Sequence, residues 1–250
     1  MGTSQSSKGP SSKVPLVPPW ADDRPQQPLP IPTKGRFGQF RRSMTNYAKS
    51  GNTGYLKTAL GHYARTSTGG ANVAARRFGN ITKVGGSLFG LLTTGQTLLN
   101  EPSLNFNQLA GKSIEEAASI IADTLTPTNG DGEKIRTSIN DALVETLNGI
   151  SEIKLSSITD DILTNFIVNY LTENIFSDVI LNIGNSLNNT KSLSEKIKME
   201  NDIHELIKVL TDAKMANKFK NNIRTFSKTQ IVNLQRQIII EVWQEWENYN

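Results

Sequence analysis

Gly2 is the residue of this chain whose type and position are best suited to act as a nucleophile, through its α-amine. After removal of Met1, its amine would be unhindered and would begin a segment rich in serine, glycine and proline. An α-amine has a pKa of roughly 7.7–8.0, so a sizeable fraction is neutral and nucleophilic at cellular pH. The pattern predicts an amine on a flexible leash that can enter a deep pocket of another protein. The alternative is an ordinary frayed terminus.

The other motifs that could carry catalysis are incomplete. Gly111-Lys112-Ser113 lacks the phosphate-loop glycine five residues upstream, where Phe106 stands, and Ser113 fits a helix N-cap instead. His62 and His204 have no partner at metal-ligand spacing, and the chain has no cysteine. We therefore expect no enzyme, no metal site and no cofactor of the protein's own.

The leading segment, residues 1–35, is the element that must position Gly2. It contains eight of the ten prolines, including those of the stretches PLVPPW and PQQPLPIP. Because proline fixes φ and removes a backbone donor, we predict that the segment is disordered or polyproline II and lies outside any core. Trp20 within it is either an anchor for a partner surface or a side chain that folds back onto its own domain.

A basic front and an acidic back divide the chain. Residues 24–100 hold eleven basic side chains and no acidic one, whereas residues 101–250 carry a net charge of −7. Such asymmetry suggests a polyanionic or acidic partner for the front, unless front and back simply pack together. The arginines that could contact nucleic acid or an acidic partner are Arg36, Arg41, Arg42, Arg65, Arg76 and Arg77. Because the aromatic residues among them recur at the spacing of a helix core, a protein partner ranks above nucleic acid.

Apolar side chains recur at helical spacing through the rest of the chain. One set runs from Phe37 to Tyr47, a second runs from Tyr55 to Tyr63, and the acidic back repeats the pattern. Glycines between positions 79 and 95 would allow a close helix contact or a turn. We predict an all-α protein, a helical bundle preceded by a disordered Pro-rich tail. The predicted regions are the tail 1–35, a basic glycine-rich helical region 36–100 and an acidic helical bundle 101–250.

No apolar run approaches the roughly 20 residues that a membrane span needs, and the start of the chain lacks the features of a secretory signal. We expect a cytoplasmic protein with no membrane partner. Residues 1–6 also fit the pattern for N-myristoylation of Gly2, which in a eukaryotic protein would favour a lipid-anchored scaffold.

Three stretches of the front half are unusual in combination. They are MGTS followed by a Ser/Gly/Lys tract and PLVPPW, then GRFGQFRR, and then ALGHYARTSTGGANVAARRFG. Together they resemble the QatB family, the small component of the bacterial four-gene Qat anti-phage system. The resemblance covers roughly the first 100 residues, and the helical remainder carries no signature that can be matched.

The resemblance implies partners and a reaction. Qat systems also encode an ATPase (QatA), a QueC-like enzyme (QatC) and a TatD-like nuclease (QatD). QueC-like enzymes use ATP to activate a deazapurine carboxylate, and in defence systems they are thought to join it to the N-terminal amine of a partner protein. By this resemblance, Gly2 would be the attacking amine. Thr3 and Ser4 would thread the active-site channel of the partner, and Pro15, Leu16, Pro18, Pro19 and Trp20 would grip its outside.

A nucleic-acid-binding adaptor that acts through the basic region 34–83 is the alternative function. It predicts salt-sensitive binding to DNA or RNA that is lost when Arg41, Arg42, Arg76 and Arg77 are neutralised.

Overall fold

The protein is all-α. A computed structural model describes residues 9–11, 13–97, 103–150, 153–190, 192–216, 218 and 223–250. Within these ranges there is no strand, and the single β-bridge joins Gln96 to Asn105. The helices are α1 Gly38–Ser50, α2 Thr53–His62, α3 Ala71–Arg77, α4 Gly79–Thr94, α5 Ile114–Leu125, α6 Gly132–Thr146, α7 Asp160–Ile183, α8 Leu193–Ala216 and α9 Lys228–Glu247. The predicted fold class is confirmed.

The chain divides into two compact units, and each is assembled from segments that are distant in sequence. Unit 1 comprises Met1–Phe78, Ile175–Leu210 and Ile239–Asn250, and unit 2 comprises Gly79–Asn174 and Thr211–Ile238. Helices α7, α8 and α9 contribute residues to both units. The three-part division predicted from composition stays a prediction.

Unit 1 is built around an aromatic core. Phe40 of α1 lies 4.8 Å from Tyr63, measured between ring centroids, and both side chains are fully buried. Two tryptophans of α9 join them, since the rings of Trp243 and Trp246 are 4.9 Å apart and both are buried. Offset and tilted ring pairs of this kind add to the large area that each ring buries. This core holds the front of the chain and the end of α9 together.

A π-helical turn, Tyr63–Ser67, follows α2 and leads to α3 through Gly69 and Gly70. Both glycines have positive φ, +83° and +94°, which a residue with a side chain adopts only with strain. Such single π turns are often found where a chain positions functional side chains. Tyr63 and Arg65 of this turn take part in the site described below.

Unit 2 contains a buried, hydrogen-bonded tyrosine and a close helix contact. Tyr170 of α7 is buried and donates a hydrogen bond from its hydroxyl to the Ile81 carbonyl at 3.0 Å. On α4, Gly85 faces Gln235 of α9, and Lys228 Nζ donates to Ser87 Oγ at 2.9 Å. The absence of a side chain at Gly85 lets the carboxamide of buried Gln235 approach the backbone of α4. The expectation that these glycines allow a close helix contact is confirmed.

The variant Gly85→Ala tests this contact. A methyl group at residue 85 would lie 2.8 Å from Cδ of Gln235, which is fully buried and has little room to move. We expect the free energy of unfolding to fall by about 1–3 kcal/mol, the usual cost of overpacking, measured by urea denaturation. Gly38→Ala is the matched control, because nothing lies within 4 Å of a methyl group there. Equal unfolding midpoints for both variants would contradict the assignment.

Several local predictions can be compared with the structure. The helix start at Ser113 is confirmed as a capping box, in which Ser113 Oγ accepts from the Glu116 amide and Glu116 accepts from the Ser113 amide. The prediction that Tyr55 shares the buried face of α2 is wrong, since Tyr55 is 42 % exposed while Leu56 and Leu60 are buried. The last helix, α9, is also capped by a serine, because Ser227 Oγ accepts from the Gln230 amide and Gln230 Oε1 accepts from the Ser227 amide.

None of the helices in the described part of the chain combines the length and apolarity that a membrane crossing requires.

Candidate functional site: arginines that hold the N-terminal strap

The leading segment is described from Gly9 onward, and we call residues 9–11 and 13–31 the strap. The strap forms no helix or strand. We expected it to lie outside any core, but Leu16, Val17 and Ala21 are buried together with Val73 of α3. Leu16 is only 8 % exposed, and its Cδ1 would lie 3.0 Å from a methyl group at Gly69. Leu16 of the strap therefore packs into the space left by the missing side chain at Gly69.

Arg76, in the last turn of α3, binds the middle of the strap. Its Nε and Nη2 donate to the two carboxylate oxygens of Asp22 at 3.0 Å and 2.7 Å. Nη2 also donates to the carbonyls of Arg24 and Gln27, each at 2.9 Å. The ion pair is buried, with side-chain exposures of 9 % and 8 %. The hydrogen bond from Arg76 lowers the pKa of Asp22 below its ordinary value, so the carboxylate is charged at neutral pH.

Arg41 and Arg36 bind the first part of the strap. Arg41 Nη2 donates to the Pro10 carbonyl at 2.9 Å, while its Nε donates to the Asn182 carbonyl at 3.0 Å. Arg36 Nη2 lies 3.5 Å from the Pro15 carbonyl, at the outer limit of a hydrogen bond. Each guanidinium carbon lies 4.9 Å from the centroid of the Phe37 ring, within the range of a cation–π contact.

Arg65, in the π-helical turn, binds the other end of the chain. Its Nη1 donates to the backbone carbonyls of Glu247 and Tyr249, the latter at 2.8 Å. Thr58 Oγ1 donates to the carbonyl of Asn250 at 2.7 Å. The Glu247 carboxylate in turn accepts from the Ala71 amide at 2.9 Å, at the N-terminus of α3. Residues 58–71 therefore hold the end of the chain, just as Arg76 holds the strap.

Arg77 belongs to a buried polar network. Its Nη2 lies 3.7 Å from Asp178, and Asp178 accepts a hydrogen bond from the Tyr63 hydroxyl at 2.6 Å. Asn182 donates to the same hydroxyl oxygen at 3.1 Å. Burial, then the charge of Asp178, raises the pKa of Tyr63 well above its ordinary value, so the phenol keeps its proton and remains a donor.

The arginines that we predicted to contact a polyanion fall into two groups, those that bind this chain itself and one that is exposed. Five of them bind groups of this chain, namely Arg36, Arg41, Arg65, Arg76 and Arg77. Arg42 is exposed on α1. Nucleic-acid contact stays a prediction.

Asp22 was not predicted to belong to the site, although the sequence contained a signal for it. It is one of only two acidic residues before position 101, and it stands next to an arginine-rich region.

The residues predicted to contact a partner differ in their exposure. Pro15, Pro19 and Trp20 lie on the exposed side of the strap, and Trp20 is 48 % exposed. Leu16 and Pro18 are buried against the protein itself. Gly2, Thr3 and Ser4 lie outside the described residues. The partner contacts of all these residues remain a prediction.

Within the described ranges, no group of three or more His, Cys, Asp and Glu side chains is placed to hold a metal ion. His204, one of the two histidines, packs edge-on against the Phe176 ring at 5.2 Å.

These features define an all-α protein whose arginines bind its own terminal segments. Comparison with protein families identifies the group to which it belongs. The family model described as Qat anti-phage system associated protein QatB matches residues 69–246, and the chain belongs to this family. It is therefore a component of the Qat anti-phage system. A search of curated proteins gave no match, and a search of solved structures gave none either.

The extent of the family match corrects one expectation from the sequence. We found no recognisable signature after about residue 100, yet most of the matched region lies there. The first two stretches that carried the resemblance lie before residue 69 and thus outside the match. The helical body therefore carries family information that short motifs do not reveal.

Proposed function

We propose that this Qat component is the acceptor of a modification made by a QueC-like partner, QatC. The N-terminal segment docks into the partner, and the amine of Gly2, exposed after removal of Met1, receives a deazapurine. The partner supplies the ATP site and the deazapurine, and this protein contributes the nucleophile and the docking surface. No cofactor of its own takes part.

The proposed step is an amide synthesis. The partner joins the deazapurine carboxylate to the AMP moiety of ATP, which gives an acyl-adenylate and pyrophosphate. The nitrogen of Gly2 attacks the acyl carbon, the bond from that carbon to the AMP oxygen breaks, and AMP leaves. The amine loses a proton as the amide forms. A neutral amine is required for the attack, and a terminal amine provides one near neutral pH.

The observation that carries this proposal is the anchoring of the strap by arginines. Near the start of the described strap, the Pro10 carbonyl binds Arg41. Six residues lie between Gly2 and Gly9, and the seven Cα–Cα steps span at most about 25 Å in a fully extended chain. An amine on a short leash with a fixed base searches a small volume, so its effective concentration at a partner's active site is high.

The exposed side of the strap supports a partner contact close to the leash. Pro15, Pro19 and Trp20 are exposed there, and the neighbouring Leu16, Val17 and Ala21 are buried against Val73, which fixes this part of the strap. A preordered aromatic and proline surface loses little conformational entropy on binding, which favours affinity. The helical body is left to contact other components, for which QatA and QatD are the candidates.

Intact mass tests the proposal. The protein would be purified after co-expression with its neighbouring genes, and the N-terminal peptide would be sequenced by tandem mass spectrometry. We expect an added mass on Gly2 that is absent when the QueC-like gene is omitted. Gly2→Pro, which leaves a hindered secondary amine, should lose the adduct almost completely, whereas the control Gln5→Ala should keep it. An unmodified Gly2 in a complex with an active partner would refute the conjugation.

A further inference from the structure

The buried charge of Arg36 has no matching anion among the described residues. The residue is only 5 % exposed, and among the described residues its side chain contacts the Pro15 carbonyl at 3.5 Å and the Phe37 ring at 4.9 Å. Its Nε and Nη1 atoms are buried and donate to no described atom. Arg36 therefore has at most one weak hydrogen bond for a group that offers five donors.

Burial of such a charge is costly. A buried ion normally has a counter-ion and hydrogen bonds that satisfy its donors. Burial lowers the pKa of Arg36, but a guanidinium is still charged at any cellular pH. Arg76 illustrates the satisfied case in the same unit, since it binds the Asp22 carboxylate and two carbonyls below 3.0 Å. In the described part of the chain, no carboxylate fills this role at Arg36.

We propose that Arg36, together with Arg41, forms a binding site for an oxyanion of the phosphate type, which enters when the Pro15 carbonyl moves aside. The Nη2 atom then becomes free, and the Nε–Nη2 edge of the guanidinium can bind two oxygens of one oxyanion side by side. The guanidinium of Arg41 lies at the same distance from the Phe37 ring, so both positive charges flank one aromatic side chain. This site is separate from the Gly2 amine and does not depend on its conjugation.

The site is coupled to the strap. The groups that bond to the two guanidiniums from the strap are the carbonyls of Pro10 and Pro15. Since these bonds compete with an oxyanion for the same donors, binding of the oxyanion loosens this part of the strap. The 3.5 Å contact to Pro15 is the weaker of the two and gives way first. A phosphate-type ligand would thus change how freely the residues before Pro15 reach a partner.

Titration of the full-length protein with inorganic pyrophosphate, followed by calorimetry at constant ionic strength, tests the site. We expect saturable binding of one pyrophosphate per chain. Affinity should fall at least tenfold in Arg36→Met, which removes the charge, and also in Arg36→Lys, which keeps the charge but loses the planar fork. Lys49→Met, which removes an exposed cation from α1, should bind like the wild type. If Arg36→Met does not fold, as judged by circular dichroism, Arg36→Lys provides the comparison.

Hydrogen exchange adds a second readout. The Val14 amide donates to the Ser11 carbonyl at 3.2 Å, and its exchange should become faster with pyrophosphate in the wild type but not in Arg36→Lys. Acetate serves as a carboxylate probe, because a partner's acidic side chain offers the same oxyanion chemistry. Binding of acetate alone, lost in the Arg36 variants, would support the oxyanion site and assign it to a carboxylate. Absence of saturable binding with both probes, or equal affinity in folded Arg36 variants, would overturn the proposal.

Discussion

Replacement of Arg76 by methionine is expected to release the middle of the strap. The change leaves the Asp22 carboxylate buried without its partner and frees the carbonyls of Arg24 and Gln27. Breaking a buried pair by removing one member costs about 3–5 kcal/mol. This pair lies beneath a surface segment, so we expect a free-energy cost at the lower end of that range, about 3 kcal/mol. The cost should reduce the free energy of local opening of the strap and leave global unfolding largely unchanged.

Hydrogen exchange of individual amides measures this effect. The Ala21 amide donates to the Pro18 carbonyl at 3.0 Å, and the Gln27 amide donates to the Arg24 carbonyl at 3.0 Å. A loss of about 3 kcal/mol corresponds to roughly a hundredfold faster exchange at both amides. The matched control is Arg136→Met, which removes an exposed ion pair with Asp123 at 2.8 Å and should leave these amides unchanged. Unchanged exchange in Arg76→Met would show that the strap is held by its apolar contacts alone.

Trp243→Ala is expected to have the largest effect on the stability of the body. Trp243 is fully buried, its ring lies 4.9 Å from Trp246 and 5.5 Å from Phe78, and its indole N–H donates to Thr68 Oγ1 at 2.9 Å. Truncation of a buried tryptophan to alanine costs about 3–5 kcal/mol, since the cavity only partly closes. The hydroxyl of Thr68 also loses its donor, which adds to the cost.

Chemical denaturation followed by circular dichroism provides the measurement, and the chain offers a control with the same chemical change. Trp20→Ala removes a tryptophan that is 48 % exposed, so we expect a change in the free energy of unfolding within about 0.5 kcal/mol. A similar loss of stability in both variants would indicate that the core does not depend on the packing around Trp243.

Local patterns were sufficient to predict the helices. The face that runs from Phe37 to Tyr47 is buried as its spacing indicates, because a period of 3.6 residues places apolar side chains on one side. The cap at Ser113 follows from two residues three positions apart. Tyr55 is the exception. It stands next to Leu56 in sequence, and adjacent residues of a helix point in different directions.

The site could be predicted only in part, because its contacts join distant segments. Nothing near Leu16 and Val17 indicates that they will pack against Val73, which is more than 50 residues away. The arginines were correctly singled out by charge, but their partners are largely backbone carbonyls, which every residue has. An arginine can be recognised in the sequence as a donor, but a backbone carbonyl acceptor cannot be predicted from residue type.

The composition of unit 1 has a consequence for synthesis of the protein. Its aromatic core needs Phe40 from the front of the chain and Trp243 and Trp246 from α9. During translation the N-terminus leaves the ribosome first, while contacts between distant segments form only after both have emerged. Phe40 and Tyr63 therefore remain without their α9 partners for most of synthesis, and the core of unit 1 can be completed only once Trp243 and Trp246 have emerged.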